Sequence, residues 1–459
     1  MSFDTLIRGG MLMTPDGARP GQLGLSGGRI AAILAPDDRA EAGAVIDATG
    51  LQVLPGLIDI HCHIRAPAYP NRGSVESETA ACAAGGITSV FEMPITDPCC
   101  NTPDEVSRRR EHFAQRAHVD FGLYAAPLTL TEAAVDALAD AGIIGFKIFT
   151  TPAPAGRERE FAGLAWPDPA DQMQALRLIA RTGLPVVVHA ENADILARAA
   201  QQVAGDDPAD ARIHNRARPP MAEAVAVAML LTMNMRAQAR LHIAHVTSAD
   251  TIEVLRRFAG TSDFTAETCP HYLLFTEAYV TRAGVAAKIN PPIRWEADLA
   301  ALWHAIADGV LAHVTTDHAA FATPEKAAHE GNFLTAPPGH PGLETMLPAM
   351  LDAVHAGKIS LQQAVSVLST NAAARFGLPD RGRLAKDCRA DIVLVDPAAS
   401  TRKTAATLLT AARNLSALTD GAVFHGALRR TLLAGETIWH DGLTGTPGQG
   451  RFITPKGQA

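Results

Sequence analysis

Between about Val53 and about Leu384 the chain alternates short apolar, β-branched runs with Ala- and Leu-rich stretches such as Ala170 to Arg181 and Ala222 to Met235. That texture marks repeated βα units, and few architectures accept it. The apolar runs are Val53–His61, Ile87–Met93, Val119–Ala125, Ile143–Phe149, Leu184–His189, Leu241–Val246, Phe264–Glu267 and Ala312–Thr316. Eight parallel strands with intervening helices close into a (β/α)8 TIM barrel whose active site lies at the C-terminal strand ends; a doubly wound open sheet would produce the same alternation. The two ends of the chain read differently. Residues 1–52 are β-like runs split by glycine turns (TLIRGG, GQLGLSGGRIAAIL), and residues 385–459 return to that texture with ADIVLVDP and GAVFHGALRRTLLAGETIWHDG. Both ends are expected to build one small β-sandwich domain beside a barrel of residues 53–384. The last 20 residues, rich in Gly, Thr and Pro, are expected as an extended tail.

Composition enters through what it excludes. With 47% hydrophobic and 19% charged residues among 459, the chain can bury a large core. The net charge of -8 and the lack of any dense Lys/Arg run argue against nucleic acid or an anionic membrane as partner. The start, MSFDTLIRGG, lacks a charged segment followed by an apolar one, and no uninterrupted apolar stretch is long enough to span a bilayer, so a cytoplasmic enzyme is expected. Cys62, Cys82, Cys99, Cys100, Cys269 and Cys388 show no CxxC spacing and are expected as reduced thiols.

Polar residues collect at the expected C-terminal strand ends: His61 and His63, Lys147, His189, His245 and Asp317. Strand residues i and i+2 project to one face, so the HxH pair aims two imidazoles at one point, half of a metal site. Singly, a histidine is a satisfied core residue and an aspartate beside a helix start is an N-cap; the joint placement is hard to read that way. Lys147 lies in the apolar run GIIGFKIF, where burial lowers an ammonium pKa. A neutral amine can add carbon dioxide, and the carbamate would bridge two metal ions; alternatively the side chain snorkels to the rim or meets a carboxylate.

These motifs resemble the cyclic amidohydrolases of the amidohydrolase superfamily, the group of dihydroorotases, allantoinases and hydantoinases. The resemblance runs through PGLIDIHCHIR (Pro55 to Arg65), GITSVFEMP (Gly86 to Pro94), GFKIF (Gly145 to Phe149), VVVHAEN (Val186 to Asn192) and HIAHVTS (His242 to Ser248). It continues in ETCPHYL (Glu267 to Leu273), KINPPIR (Lys288 to Arg294), TTDHA (Thr315 to Ala319) and PGLETMLP (Pro341 to Pro348). It implies a barrel carrying two divalent metal ions, usually zinc, with His61, His63 and Asp317 on one ion, His189 and His245 on the other, and carboxylated Lys147 bridging them. It also implies a small cyclic amide as substrate, opened by a water activated between the ions with Asp317 as general base and then acid, and a homodimer or homotetramer.

The motifs that separate the three activities disagree. Arg65 matches the arginine that grips the substrate carboxylate in dihydroorotases, a task that suits a guanidinium fork. Ile95 stands where those enzymes have asparagine, however, and Phe321 where they have histidine. A carboxylate held with help from His340, or an Arg65 with a structural role, are the two readings left open. Hydantoinases share the Phe321 position but carry a tyrosine where this chain has Pro152; allantoinases share ETCPHYL but lack an arginine after HxH. Asn290 matches a position that contacts the ring amide, or else is a turn residue before two prolines. His271 would line the pocket or support it from behind, and His242 is expected in the core. Dihydroorotase-like ring opening is the leading expectation, allantoinase or hydantoinase/dihydropyrimidinase activity the alternative, and a non-catalytic scaffold the competing class.

Overall fold

The computed structural model describes residues 2–416 and 419–455. Residues 456–459 of the expected tail lie outside the described residues. Five strands open the chain: β1 (Ser2–Thr14), β2 (Gly17–Ser26), β3 (Arg29–Leu34), β4 (Glu41–Asp47) and β5 (Gln52–Pro55). The barrel strands are β6 (Leu57–His63), β7 (Ile87–Glu92), β8 (Asp120–Ala125), β9 (Gly145–Phe149), β10 (Pro185–His189), β11 (Arg240–Ile243), β12 (Phe264–Thr268), β13 (His313–Val314) and β14 (His318–Ala319). After further helices come β15 (Ile392–Arg402), β16 (Val423–Leu433) and β17 (Glu436–Trp439).

The barrel strands pair in parallel in the order β13-β12-β11-β10-β9-β8-β7-β6-β14. β13 and β14 are two halves of one strand, broken at residues 315–317; the first half pairs with β12 and the second with β6. The sheet therefore closes on itself through this broken strand. Helices such as Pro169–Ala180 and Pro220–Ala237 cover it, the latter beginning with proline at its first helical position, where a missing N–H costs nothing. Strands buried on both faces need continuous apolar runs, and Val186, Val187 and Val188 of β10 are fully buried.

The terminal strands form one sheet, ordered β17-β16-β15-β5-β1-β2-β3 with β4 on β1. Ile7, Leu12, Leu23, Ile30, Ile392 and Leu432 fill a core of its own. The run Val53–His61, expected as a single strand, is split between the two sheets: β5 pairs with β1 and β15, whereas β6 pairs with β7 and β14. Gly56 is the pivot. A Cβ there would sit 2.2 Å from Thr88 Oγ1, so only glycine lets the chain pass this close while its N–H reaches the Asp391 carbonyl at 2.8 Å. The described part of the tail is extended and pinned: Phe121 N–H donates to the Arg451 carbonyl and Ile453 N–H to that of Phe121.

Candidate active site

At the C-terminal ends of the barrel strands lies a cavity of about 520 Å³. His61, His63, Lys147, His189, His245 and Asp317 all line it, together with Arg65 and Asn290. Asp317 Oδ1 lies 3.2 Å from His61 Nε2 and 3.3 Å from His63 Nε2. Lys147 Nζ is 3.5 Å from His61 Nε2, and His189 Nδ1 is 2.9 Å from His245 Nε2. Ligand atoms of His61, His245 and Asp317 fall within 4.8 Å of one another. The sequence thus names six residues from five strands that the fold brings to one point.

Carboxylates behind the histidines orient them. Glu267, fully buried, accepts from His61 Nδ1, from His242 Nε2 at 3.0 Å and from the His245 backbone N–H at 3.3 Å. Glu191 accepts from His189 Nε2 at 2.7 Å and is itself paired with Arg218. A carboxylate only accepts, so the protons sit on His61 Nδ1 and His189 Nε2. The free lone pairs of His61 Nε2 and His189 Nδ1 then face inward, the first against the Asp317 carboxylate. Acceptors converging at 3.2 Å with no hydrogen between them repel unless a cation lies among them, so this donor set fits divalent metal ions.

The electrostatics agree with that fit. Burial holds His63 at about 3 and lowers His189 and His245, keeping their imidazoles neutral and able to ligate. Burial also lowers Lys147 to about 8, toward the neutral amine that adds carbon dioxide.

Three of these residues sit at positive φ without being glycine: Arg65 at 61°, His245 at 37° and Asp317 at 43°. Such backbone persists only where neighbours hold it. Glu92 holds Arg65, accepting from its N–H at 2.8 Å and from Ile64 N–H at 2.7 Å. Asp59 on β6 holds the break before Asp317, accepting from Thr316 N–H at 3.0 Å and from its hydroxyl at 2.6 Å. Glu267, Glu191, Glu92 and Asp59 were not singled out from sequence. An ionisable side chain inside an apolar run is the signal that would have found them, since each needs buried partners.

The expected substrate residues divide. The Arg65 guanidinium is buried and stacked over Phe321 at 4.8 Å; among the described residues its Nε and Nη1 have no hydrogen-bond partner, and neither has Asn290 Oδ1. Pro152 and Ile95 line the same cavity. His271 and His340 do not. They flank a small recess behind the broken strand, their rings 6.2 Å apart, and His340 gives its carbonyl to Ala319 N–H. His242 lies in the core on Glu267, and all six cysteines are free and buried.

The allantoinase of Rubrobacter xylanophilus is 33% identical over 459 aligned positions, covering 99% of this chain and 98% of its own. The D-hydantoinase of Rhizobium radiobacter is 30% identical, covering 98% of each chain. The solved L-hydantoinase (dihydropyrimidinase) of Arthrobacter aurescens superposes with a TM-score of 0.91 at 29% identity, over 98% of this chain and 100% of that one. Residues 52–423 match the model of the amidohydrolase family, and the chain, with its barrel and its converging histidines, belongs to that family.

Proposed function

We propose that this chain is a metal-dependent hydrolase that opens the ring of a cyclic amide at its C–N bond. The observation that carries the reading is the inward convergence of His61, His63, His189, His245, Lys147 and Asp317 on the floor of the cavity. His61, His63 and Asp317 would hold one ion, His189 and His245 the other, with carboxylated Lys147 between them. Two divalent ions, when bound, supply a water acidic enough to ionise at neutral pH and polarise the amide carbonyl. Asp317 takes the proton of the attacking water and returns it to the departing ring nitrogen, first base and then acid. Asn290 Oδ1, an acceptor without a partner among the described residues, receives a ring N–H and orients the amide.

Relatives named allantoinase and hydantoinase support a five-membered cyclic ureide as the ring. The second reading, a carboxylated dihydroorotate-type ring, rests on Arg65, whose buried guanidinium lines the cavity with two nitrogens unpartnered. The proposal includes zinc as the ion, residues 53–384 as the catalytic unit, and a cytoplasmic homodimer or homotetramer. The test is ring opening by metal-replete protein in bicarbonate, comparing hydantoin, allantoin, dihydrouracil and L-dihydroorotate. Turnover of one or more rings, lost in Lys147→Ala together with bound metal, is expected. Metal-free activity, or no turnover of any ring, would sink the reading.

A further inference from the structure

Asp317 stands at the break between β13 and β14, and each of its two neighbours faces a carboxylate that does not line the cavity. Thr316 is held by Asp59, and His318 faces Glu78. His318 Nδ1 accepts from the Gly342 N–H at 3.2 Å, so the proton is on Nε2, which lies 3.0 Å from Glu78 Oε2. Both side chains are fully buried. Glu78 belongs to the helix Val75–Ala84, and the terminal β domain reaches it from another side. The Thr410 hydroxyl donates to the same Oε2 at 2.5 Å, and the Ala411 N–H donates to Oε1 at 3.0 Å. Thr410 Oγ1 accepts in turn from the Ala412 N–H at 3.2 Å, which leaves its proton for the carboxylate. A second buried carboxylate, Glu344, accepts from the Leu409 N–H at 2.9 Å and the Thr410 N–H at 3.1 Å. Buried carboxylates need donors around them, so these two acids tie residues 409–411, between β15 and β16, into the barrel beside the break that carries Asp317.

Resting on the ring-opening reading above, we propose that Thr410, Glu78 and His318 form a positioning chain through which the terminal β domain sets the carboxylate of Asp317. Thr410 fixes the Oε2 edge of Glu78, Glu78 fixes the His318 ring, and His318 fixes the backbone that leaves Asp317 at a φ of 43°. Among the described residues the terminal β domain contributes none to the cavity, and this chain gives it a part in the reaction. Because none of the three residues lines the cavity, the contacts of a bound ring stay in place when the chain is cut. The effect therefore falls on the chemical step, where a misplacement of about 1 Å costs up to about 100-fold in rate.

Thr410→Val removes the hydroxyl and keeps the shape, whereas Thr410→Ser keeps the donor. Kinetics are measured on metal-replete protein with whichever of hydantoin, allantoin, dihydrouracil and L-dihydroorotate is turned over. Thr410→Val is expected to lower kcat about 10- to 100-fold with KM within about twofold, and Thr410→Ser to restore most of the loss. Glu78→Gln should lower kcat likewise, and the double variant should lose no more than Glu78→Gln alone, because both changes cut one chain. Hydrogen exchange read by mass spectrometry should be faster in Thr410→Val over residues 315–321 and unchanged over residues 185–189. An unchanged kcat in Thr410→Val, a loss that Thr410→Ser does not restore, or equally faster exchange in both peptides would overturn the chain. If the unsubstituted protein turns over no ring, the ring-opening reading fails by itself, and the exchange comparison still decides whether Thr410 sets the segment around Asp317.

Discussion

Replacing Glu267 by glutamine isolates the support behind the proposed metal ligands. The carboxylate receives His61 Nδ1–H, His242 Nε2–H and the His245 backbone N–H, and has no exposure to solvent. Glutamine keeps the shape and one acceptor, which can stay on His61. Its NH2 then faces His242, which can change tautomer because its Nδ1 lies 2.7 Å from the Thr265 hydroxyl, a group that donates as readily as it accepts. What is lost is charge. Hydrogen bonds to an ionised partner contribute about 1.5–3 kcal/mol against about 1 for neutral ones, so weakening those to His61 and His245 costs about 1–3 kcal/mol. At 1.4 kcal/mol per factor of ten, metal should be held about 10- to 100-fold more weakly, in line with losses of carboxylates behind ligating histidines elsewhere. The assay is competition with a chelator of known affinity, read as residual metal per chain, with the thermal melting of the metal-free protein as control. Unchanged metal affinity in Glu267→Gln would refute the claim that the charge of this carboxylate strengthens His61 as a ligand.

Three further outcomes follow from burial and geometry. Gly56→Ala should destabilise the protein by about 1–3 kcal/mol in urea unfolding, because the new Cβ meets Thr88 Oγ1 at 2.2 Å and Cγ2 at 2.6 Å; an unchanged midpoint would mean that the two sheets part freely there. Asp120→Ala should cost about 1–3 kcal/mol, since this buried carboxylate meets Arg381 at 2.6 Å, Arg389 at 2.8 Å and the Arg451 N–H at 2.8 Å, and its loss leaves both arginines to share Asp391 and the Arg451 N–H without its acceptor; limited proteolysis should then open the C-terminal segment. His313 is buried with both ring nitrogens unpartnered among the described residues, and burial holds it at about 3. Its folded pKa is depressed, so it favours the fold fully above the ordinary value near 6.5 and loses that contribution as pH falls toward 3. His313→Leu should therefore flatten the dependence of stability on pH between those values by up to about 1.4 kcal/mol per unit; parallel curves would exclude the effect.

Much of the architecture was open to reading from local pattern. Period-two alternation put His61 and His63 on one face, and their rings do lie together, 5.2 Å apart. Continuous apolar runs separated by helical stretches announced buried parallel strands, because strands covered on both faces have no polar side to show. The residues expected at the strand ends could be listed for the same reason: chain direction and alternation are local properties, and a parallel barrel sends every such end to one rim.

What depended on partners distant in sequence was decided only by the tertiary structure. The Pro55–Gly56 pair marks a break locally, but which sheet each half joins is decided by distant partners: the contact of Gly56 with Thr88 and the pairing of Val53 with Leu394. The break that puts Asp317 at positive φ depends on Asp59, which holds Thr316 from 257 residues earlier in the chain. Glu267 became a support for His61, 206 residues earlier, only once the barrel had brought the ends of β12 and β6 to one site, whereas Glu191 stands two residues from the His189 it supports and depends on distant sequence only for its own partner, Arg218. Side-chain period tells which face a residue takes, and a face meets its partner only through the packing of the whole barrel.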